Sequence, residues 1–289
     1  MFMHLMSFIQ CSNAKGLYLS PFNSMQLAVM LTLLLVVCGS VHPNPGPTYE
    51  NCLQLCHVNM RSLQPHDSST KLDELHSKLC IDQCFDVICV TETWLDENIT
   101  DDAVALPNYQ IFRKDRNRHG GGVAIYAHHS LPVRYLPDFN IDSVEFICVE
   151  VKLQSKSIIV GCCYRPPGSR ANANVFLENF QQILNLMFVN SPDSIFILGD
   201  FNDRCLVWED NHRTSELGVK FRDLIENNIL FQIIKDPTYV TNNYQSLLDL
   251  IITDSPGYVL DSGVGNPIGD PCHCYIYCRL HLMYPKDSK

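Results

Sequence analysis

From about residue 52 onward, the chain alternates short apolar runs with turn-forming residues. Runs of five to eight residues, rich in Val, Ile, Leu, Phe and Cys, predict strands. The predicted strands cover residues 53–58, 85–91, 121–128, 146–153, 157–164, 194–198, 246–253 and 274–279. Apolar residues at helical spacing predict three helices, over residues 71–79, 174–189 and 216–227. Several strands are apolar on both faces, which predicts sheets packed on each other and covered by helices, an α+β fold.

The first fifty residues differ from the rest. An apolar run over residues 27–38 contains one Thr and is too short to span a bilayer, so we expect no stable membrane partner. Only one basic residue, Lys15, precedes the run, so the alternative of a signal peptide is weakly supported. The Pro-rich segment that follows predicts a boundary between an arm (1–50) and a main domain (51–282), which a short tail (283–289) follows.

The end of this arm resembles the ribosome-skipping peptides of certain RNA viruses and retroelements. Those peptides pair an apolar run with an Asn-Pro-Gly-Pro end, and residues 44–47 are Asn-Pro-Gly-Pro. Ser40 and His42 stand where that family has Asp and Glu. We therefore expect little skipping between Gly46 and Pro47.

Charge and cysteine content narrow the choice of function. The chain has 21 basic and 31 acidic residues, a net charge of −10, which argues against gripping nucleic acid by bulk electrostatics. Any DNA contact must be local, and the one dense basic stretch, 113–119, is either a solvated hairpin loop or a phosphate-contacting loop. Many of the fourteen cysteines lie inside apolar runs, which predicts buried free thiols. The cluster of Cys272, Cys274 and Cys278 with His273 has no spacing typical of zinc.

Acid and amide side chains lie in or just after the predicted strands. They are Asn59, Glu92, Asp200, Asn202 and Asp249, joined by Tyr164 and, near the C-terminus, by Asp270 and His273. Strand ends that converge on one edge can gather carboxylates around a metal ion and a phosphate, which predicts phosphodiester hydrolysis. Taken singly, each residue could instead be a turn former, a helix cap or part of the core.

The order of three segments carries a resemblance. Residues 91–95 (Thr-Glu-Thr-Trp-Leu), 164–167 (Tyr-Arg-Pro-Pro) and 199–202 (Gly-Asp-Phe-Asn) resemble, in this order, the endonuclease/exonuclease/phosphatase family. Within that family, the chain resembles the endonuclease domain of non-LTR retrotransposon polyproteins, from about residue 55 to residue 280. The resemblance implies a four-layer α/β sandwich, in which two packed, mostly antiparallel (mixed) sheets are flanked by helices.

The resemblance also implies a metal site. Mg²⁺, or Mn²⁺ in its place, takes hard oxygen ligands and keeps several waters. Glu92 would be its main protein ligand, with Asp270 and Asn59 as the other candidates.

The remaining residues receive catalytic roles by the same resemblance. Asp200 would activate the attacking water or assist the leaving group, and Asn202 and Tyr164 would donate hydrogen bonds to the phosphoryl oxygens. Asp249 would orient a proton-handling histidine, with Ser246 in support.

Two positions depart from the family pattern. Members usually end in adjacent Asp-His, whereas here Pro271 follows Asp270 and His273 comes two positions later. Either the backbone bulges or the histidine is displaced, and the alternation of Cys272 and Cys274 favours a regular strand and a pocket without the histidine. Arg61 occupies the place of an acid that abasic-site enzymes use to bind metal, a difference shared with retroelement relatives.

These considerations predict a retroelement-type DNA endonuclease that leaves a 3′-hydroxyl primer. Its partners would be DNA and, in a longer polyprotein, a reverse transcriptase domain or element RNA. Its location would be intracellular, in the nucleus when acting on DNA. The alternatives are a catalytically impaired relic or binding module of the same fold, and a phosphodiesterase of the inositol phosphatase or sphingomyelinase type.

Overall fold

The computed structural model describes residues 52–64, 70–168, 170–203 and 216–283. These residues all belong to one unit, Tyr49–Lys289. The predicted arm with its Asn-Pro-Gly-Pro segment lies outside the described residues, as does the predicted tail apart from Met283. Among the described residues, none of the helices has the length and apolar character needed to cross a membrane.

The first of two six-stranded sheets contains both ends of the described chain. Its strands are β1 (Cys52–Asn59), β2 (Val87–Thr91), β3 (Tyr109–Lys114), β4 (Val123–His128), β13 (Val259–Pro267) and β14 (Cys274–Met283). Their order is β13-β14-β1-β2-β4-β3, and only the β1–β2 pair is parallel.

The second sheet is built from the middle of the chain. Its strands are β5 (Val133–Tyr135), β6 (Glu145–Lys152), β7 (Ser157–Tyr164), β8 (Ser194–Asp200), β9 (Phe231–Gln232) and β12 (Asp249–Thr253). Their order is β5-β6-β7-β8-β12-β9, and only β7–β8 is parallel. A separate hairpin pairs β10 (Tyr239–Thr241) with β11 (Tyr244–Ser246).

Helices cover the outer faces of the two sheets. Helix α1 (Thr70–Leu75) continues as a π-helix (His76–Asp82), and its Leu75 and Leu79 pack on the outer face of β1 and β2. Helices α2 (Arg170–Val189) and α3 (Glu216–Asn227) pack on the second sheet through Phe180 and Phe221, among others. Short 3₁₀ turns lie at Asp101–Val104, Pro137–Phe139 and Pro256–Tyr258. The α+β, four-layer α/β sandwich with two mixed sheets is therefore confirmed.

Alternation along β1 decides which side chains reach the functional site. Leu53 and Leu55 belong to the large core between the sheets, whereas Cys56 and Val58 pack outward under α1. Because side chains alternate along a strand, His57 and Asn59 share the inward face with Leu55. Both are fully or almost fully buried, and both point toward the second sheet.

A close approach of β7 and β8 explains the glycine before Asp200. A Cβ atom at Gly199 would lie 1.9 Å from the Cys163 carbonyl oxygen. No side chain fits there, so only glycine allows β8 to reach Asp200 in this register.

The predicted strand over residues 246–253 is wrong in one respect. Ser246 ends β11 and Asp249 begins β12, so the segment is divided between two sheets. The chain changes partners at Leu247 and Leu248. The prediction of free thiols is confirmed, because the eleven cysteines of the described residues are free and eight of them are buried.

Candidate active site

The Asn59 side chain joins the two sheets at one edge of the sandwich. Its Nδ2 donates to Glu92 Oε1 at 3.0 Å and to Asp200 Oδ2 at 2.9 Å. Its Oδ1 accepts a hydrogen bond from the backbone N–H of Arg61 at 3.1 Å. The amide therefore bridges two carboxylates that are 108 positions apart in sequence (200 − 92).

Glu92 lies directly after β2 in a left-handed backbone conformation, with φ at 52°. Its second oxygen, Oε2, accepts a hydrogen bond from the indole Nε1 of Trp94 at 3.0 Å. Trp94 is also left-handed, with φ at 55°, and its backbone N–H donates to Gly121 O. Non-glycine residues in this conformation are strained and cluster at functional sites. The strain turns the Glu92 carboxylate back toward Asn59.

Asp200 ends β8 and accepts hydrogen bonds from Asn202 as well. The Asn202 backbone N–H reaches Asp200 Oδ1 at 2.9 Å, and Asn202 Nδ2 lies 3.2 Å from Asp200 Oδ2. Arg165 holds this turn, since its guanidinium donates to the Phe201 and Asn202 carbonyl oxygens. Arg165 follows Tyr164 in the Tyr-Arg-Pro-Pro segment, and its structural role was not predicted.

Asp249 lies opposite Asp200 in the β8–β12 register, and its Oδ2 lies 3.2 Å from His273 Nδ1. Thr238 supports it, because the Thr238 hydroxyl accepts hydrogen bonds from the Leu248 and Asp249 backbone N–H groups. Ser246, the predicted support, contributes its backbone carbonyl, which accepts from the Thr238 N–H at 3.0 Å. Asp249 and His273 are thus one pair.

The expectation of a pocket without the histidine is wrong. Strand β14 begins at Cys274, and His273 forms an isolated bridge with Tyr239 of the β10–β11 hairpin. Cys272 O and Cys274 N also bond to that hairpin region, at Val240 N and Thr238 O. Because Pro271 stops the regular strand, the chain turns here and brings His273 against Asp249.

Charge and burial set the protonation states of this group. Burial, reinforced by the charge of Asp249, raises the pKa of Asp200 from 3.8 to about 7. Burial alone would lower the pKa of His273, but the carboxylate of Asp249 raises it to about 10. Burial opposes ionisation of Asp249 too, yet His273 lowers the pKa of that carboxyl. An ionised Asp249 beside a cationic His273 is the stable arrangement at neutral pH.

Tyr164 ends β7 beside the same carboxylates. Burial, with the charges of Glu92 and Asp200, raises the pKa of its hydroxyl, which therefore remains a donor at neutral pH. The guanidinium of Arg116 lies 5.9 Å from the centre of the Tyr164 ring. A cavity of about 260 Å³ opens next to Tyr164 and is lined by Arg165, Pro166, Pro167, Glu145 and Phe176, among others.

Asp270 contacts the backbone of Cys272 and the side chain of Arg61. Its Oδ1 accepts a hydrogen bond from the Cys272 backbone N–H at 2.7 Å, and its Oδ2 lies 3.5 Å from Arg61 Nη1. The first contact caps the turn that carries His273. The part of Asp270 in metal binding stays a prediction.

The basic stretch over residues 113–119 is largely paired within the protein. Arg113 and Lys114 belong to β3, where Arg113 pairs with Asp101 and Lys114 donates to the Ile141 and Val144 carbonyls. Arg116 pairs with Glu145 at 2.6 Å. The expected solvated hairpin loop is thus paired internally at these three residues, and contact with phosphate stays a prediction.

Comparison with known proteins now decides the family. The model of the endonuclease/exonuclease/phosphatase family matches residues 56–275. The chain belongs to this family. No curated protein matches the sequence.

Several solved structures share the fold of this chain. The endonuclease domain of TRAS1, a telomere-specific non-LTR retrotransposon, superposes with a TM-score of 0.63 at 14% identity, covering 80% of this chain and 100% of that one. The AP endonuclease LMAP from Leishmania major gives 0.65 at 15% identity, covering 82% and 89%. The 3′ phosphatase NExo from Neisseria, bound to product DNA hairpin, gives 0.60 at 14% identity, covering 79% and 99%. At such identities the likeness establishes a shared fold.

The contact between His273 and Asp249 bears on the departure from the adjacent Asp-His pattern. With His273 paired to Asp249, the residue directly before the histidine is Cys272 and not Asp270. An acid is therefore not adjacent to the histidine that contacts Asp249, since Asp270 lies three positions before it.

The donor atoms suit a divalent cation, which enzymes of this family generally use. Glu92 offers oxygen ligands, and Asp200, Asp249 and His273 each place one donor atom within 4.8 Å of the others. Hard oxygen ligands match Mg²⁺ or Mn²⁺. The pKa of Asp200 is raised mainly by burial and further by the charge of Asp249, and a nearby cation would stabilise the ionised carboxylate. The Asn59 oxygen accepts one hydrogen bond from Arg61 N and has a second lone pair that could bind metal.

One buried side chain was absent from the predicted site. His57, two residues before Asn59, is fully buried and faces Asp249. A histidine within an otherwise apolar strand was the only signal in the sequence.

Proposed function

We propose that this protein is a Mg²⁺- or Mn²⁺-dependent endonuclease of the retroelement type. It nicks one strand of target DNA and leaves a 3′-hydroxyl that a reverse transcriptase can extend. The observation that carries the proposal is the pair of hydrogen bonds that the Asn59 amide donates to Glu92 and Asp200. Asp249 lies opposite Asp200 in the sheet and contacts His273. Two sheets thereby contribute to one set of acid, amide and imidazole groups.

Each side chain has a task that its contacts favour. Glu92 would hold a divalent cation, which would neutralise charge on the phosphate and lower the pKa of a water. Asp200, with a pKa of about 7, accepts a proton from the attacking water once the pH exceeds that value. Asn202 and the protonated Tyr164 hydroxyl donate to the phosphoryl oxygens as negative charge increases there.

The Asp249–His273 pair provides positive charge beside the acids. Because the pKa of His273 is raised to about 10, its imidazole is cationic at neutral pH. A cationic imidazole favours phosphate binding and can protonate a leaving oxygen. Asp249 keeps the Nδ1 of that ring occupied, so the ring orientation is defined.

DNA binding would rely on a few cations at the site. Arg61 projects from the turn after Asn59 with 64% of its side chain exposed. Lys71 donates to the Met60 and Arg61 carbonyls and fixes that turn. With a net charge of −10, the surface as a whole would not hold DNA, so we expect few phosphate contacts and a shallow dependence of DNA affinity on salt concentration.

The proposed partners follow from the product. A nick with a 3′-hydroxyl can prime reverse transcription, so a reverse transcriptase domain or element RNA in a longer polyprotein would act next. TRAS1, a non-LTR retrotransposon, contains an endonuclease domain of this fold, which supports the retroelement type. Activity on chromosomal DNA would require a nuclear location.

The alternative of an impaired relic or binding module rests on one observation. Cys272 precedes His273 where the family pattern has an acid, which removes one carboxylate from the site. A 3′ phosphatase also shares the fold, so phosphate monoesters must be tested beside DNA.

Nicking of supercoiled plasmid by the purified chain tests the proposal. With Mg²⁺ or Mn²⁺ we expect open circles whose nicks a polymerase extends without prior treatment, and no product with chelator. Glu92→Ala and Asp200→Ala should each reduce the rate by at least about a hundredfold. Glu97→Ala, an exposed acid nearby, is the matched control and should retain the wild-type rate.

Four kinds of result would contradict the proposal. Nicking in chelator, or in either active-site variant, would refute the site. Nicks that cannot be extended would refute the 3′-hydroxyl product. A folded wild-type protein that binds Mn²⁺ without cutting DNA would favour the impaired alternative, and hydrolysis of phosphate monoesters alone would favour a phosphatase.

A further inference from the structure

His57 lies where the two sheets meet behind the active site. It is on β1, is fully buried, and faces the Leu53 and Leu55 side of the strand. Its Nε2 lies 3.0 Å from the hydroxyl of Thr91, the residue before Glu92. Its Nδ1 lies 3.6 Å from Asp249 Oδ1 on the other sheet.

Two unsatisfied atoms face each other across that 3.6 Å gap. Within the described residues, neither His57 Nδ1 nor Asp249 Oδ1 has a hydrogen-bond partner, and both are buried. A buried polar atom without a partner costs about 1–3 kcal/mol, so two such atoms in mutual contact should form a bond. A movement of about 0.6 Å gives an ordinary N–H···O distance.

The tautomer of His57 follows from these partners. Burial lowers its pKa to about 4, so the ring is neutral near pH 7 and has one donor and one acceptor. A carboxylate oxygen can only accept, whereas the Thr91 hydroxyl can donate. The proton therefore belongs on Nδ1, facing Asp249, and Nε2 accepts from Thr91.

We propose that His57 is a positioning residue that donates Nδ1–H to Asp249 Oδ1, so that Asp249 is held between two imidazoles. Asp249 Oδ2 then stays directed at His273 Nδ1, and rotation of the carboxylate about its terminal bond is prevented. Because Thr91 is bound to the other ring nitrogen, one side chain connects the Glu92 end of β2 with the Asp249–His273 pair. His57 itself touches no substrate.

Nitrogen-15 NMR of the full chain with labelled histidine tests the tautomer without reference to activity. We expect His57, assigned by the signal lost in His57→Asn, to show a protonated Nδ1 and an unprotonated Nε2. A protonated Nε2 with a bare Nδ1 would overturn the proposal. The ring signals of His273 should shift in His57→Gln and remain near their wild-type positions in His57→Asn.

A pair of amide variants separates positioning from packing. The Asn amide nitrogen is attached at Cγ, as Nδ1 is in the ring, whereas the Gln amide nitrogen lies near the place of Nε2. His57→Asn keeps the bond to Asp249, and His57→Gln keeps only the contact with Thr91. In the nicking assay we expect His57→Gln to lower kcat by about tenfold with little change in KM, and His57→Asn to restore most of that loss.

The kinetic arm rests on the proposed function, but the NMR arm does not. Equal rates for His57→Gln and wild type would overturn the proposal, as would equal losses in the two variants. Thermal melting of both variants shows whether a loss of activity reflects unfolding. If His57→Gln is unfolded at the assay temperature, the NMR tautomer and the rate of His57→Asn decide the proposal. If wild-type protein cuts no substrate, the proposed function fails and the NMR result alone decides the role of His57.

Discussion

Replacing Asp200 with Asn should stabilise the folded protein at alkaline pH although it removes an active-site acid. Asp200 is buried opposite Asp249, and its pKa is raised from 3.8 to about 7. A group whose folded pKa is raised favours the folded state below its unfolded pKa. That contribution is lost as pH rises from 3.8 through about 7, because the unfolded chain releases the proton first.

The size of the effect follows from 1.36 kcal/mol per pKa unit. Relative to low pH, ionisable Asp200 costs the fold about 2 kcal/mol at about pH 5 and about 4 kcal/mol at about pH 8.5. Asn has the shape of a protonated acid and cannot ionise. The advantage of Asp200→Asn should therefore grow by about 2–3 kcal/mol between these two pH values.

Hydrogen bonding changes the stability difference between Asp200→Asn and wild type at any single pH, but it does not change how that difference varies with pH. Asp200 Oδ2 accepts from Asn59 Nδ2 and Asn202 Nδ2, and an Asn amide nitrogen there would lose at least one bond, at about 1–3 kcal/mol. This loss applies at every pH. The fall in stability that His273 causes as pH rises from 6.5 towards about 10 is present in both proteins and largely cancels.

Urea unfolding across that pH range measures the difference directly. Asp138→Asn, an exposed change in the turn before β6, is the control and should show a flat difference from wild type. If the advantage of Asp200→Asn were constant or shrank with rising pH, folding would not raise the pKa of Asp200 as inferred. The variant should also be inactive in plasmid nicking.

Three further outcomes are expected in the nicking assay. His273→Ala should cost at least about a hundredfold, whereas Pro271→His should give no gain, since His273 already pairs with Asp249; a gain would restore the displaced-histidine view. Cys272→Asp should raise the rate and the affinity for Mn²⁺ by placing an acid next to the histidine. Calorimetry measures that affinity, and an unchanged value would contradict this expectation. The pH–rate profile should rise through about 7 and fall towards about 10, and a profile flat across neutrality would exclude Asp200 as the base.

The sequence predicted the strands that are buried on both faces. Strand β7 was predicted at its observed bounds, since Ser157–Tyr164 is an unbroken apolar run ending at a turn. Strand β13 was missed because Gly263, Gly265 and Pro267 signal turns, and its place at the sheet edge tolerates them. Only tertiary pairing with β14 makes that segment a strand.

The candidate site was predictable where polar residues end strands, and less so elsewhere. Asn59, Glu92 and Asp200 follow apolar runs, and the structure brings them into contact. The position of His273 depends on bonds to the β10–β11 hairpin, which sequence periodicity does not reveal. His57 was overlooked because a lone histidine in a strand gives no sign of what it faces.

The contact layer between the sheets has a consequence for tolerance to mutation. Deep in that layer, the Cys162 thiol reaches the Val90 carbonyl at 3.5 Å, and the Cys89 thiol lies 3.9 Å from the Gly161 carbonyl. The acids and amides at the edge come from both of these sheets, so the distances between them depend on the sheet separation. A bulkier residue at Cys89 or Cys162 would widen that separation by a fraction of an ångström, which folding tolerates and proton transfer does not. Substrate turnover should thus fail earlier than melting temperature as this layer is varied, which makes turnover the more sensitive gauge of interior packing.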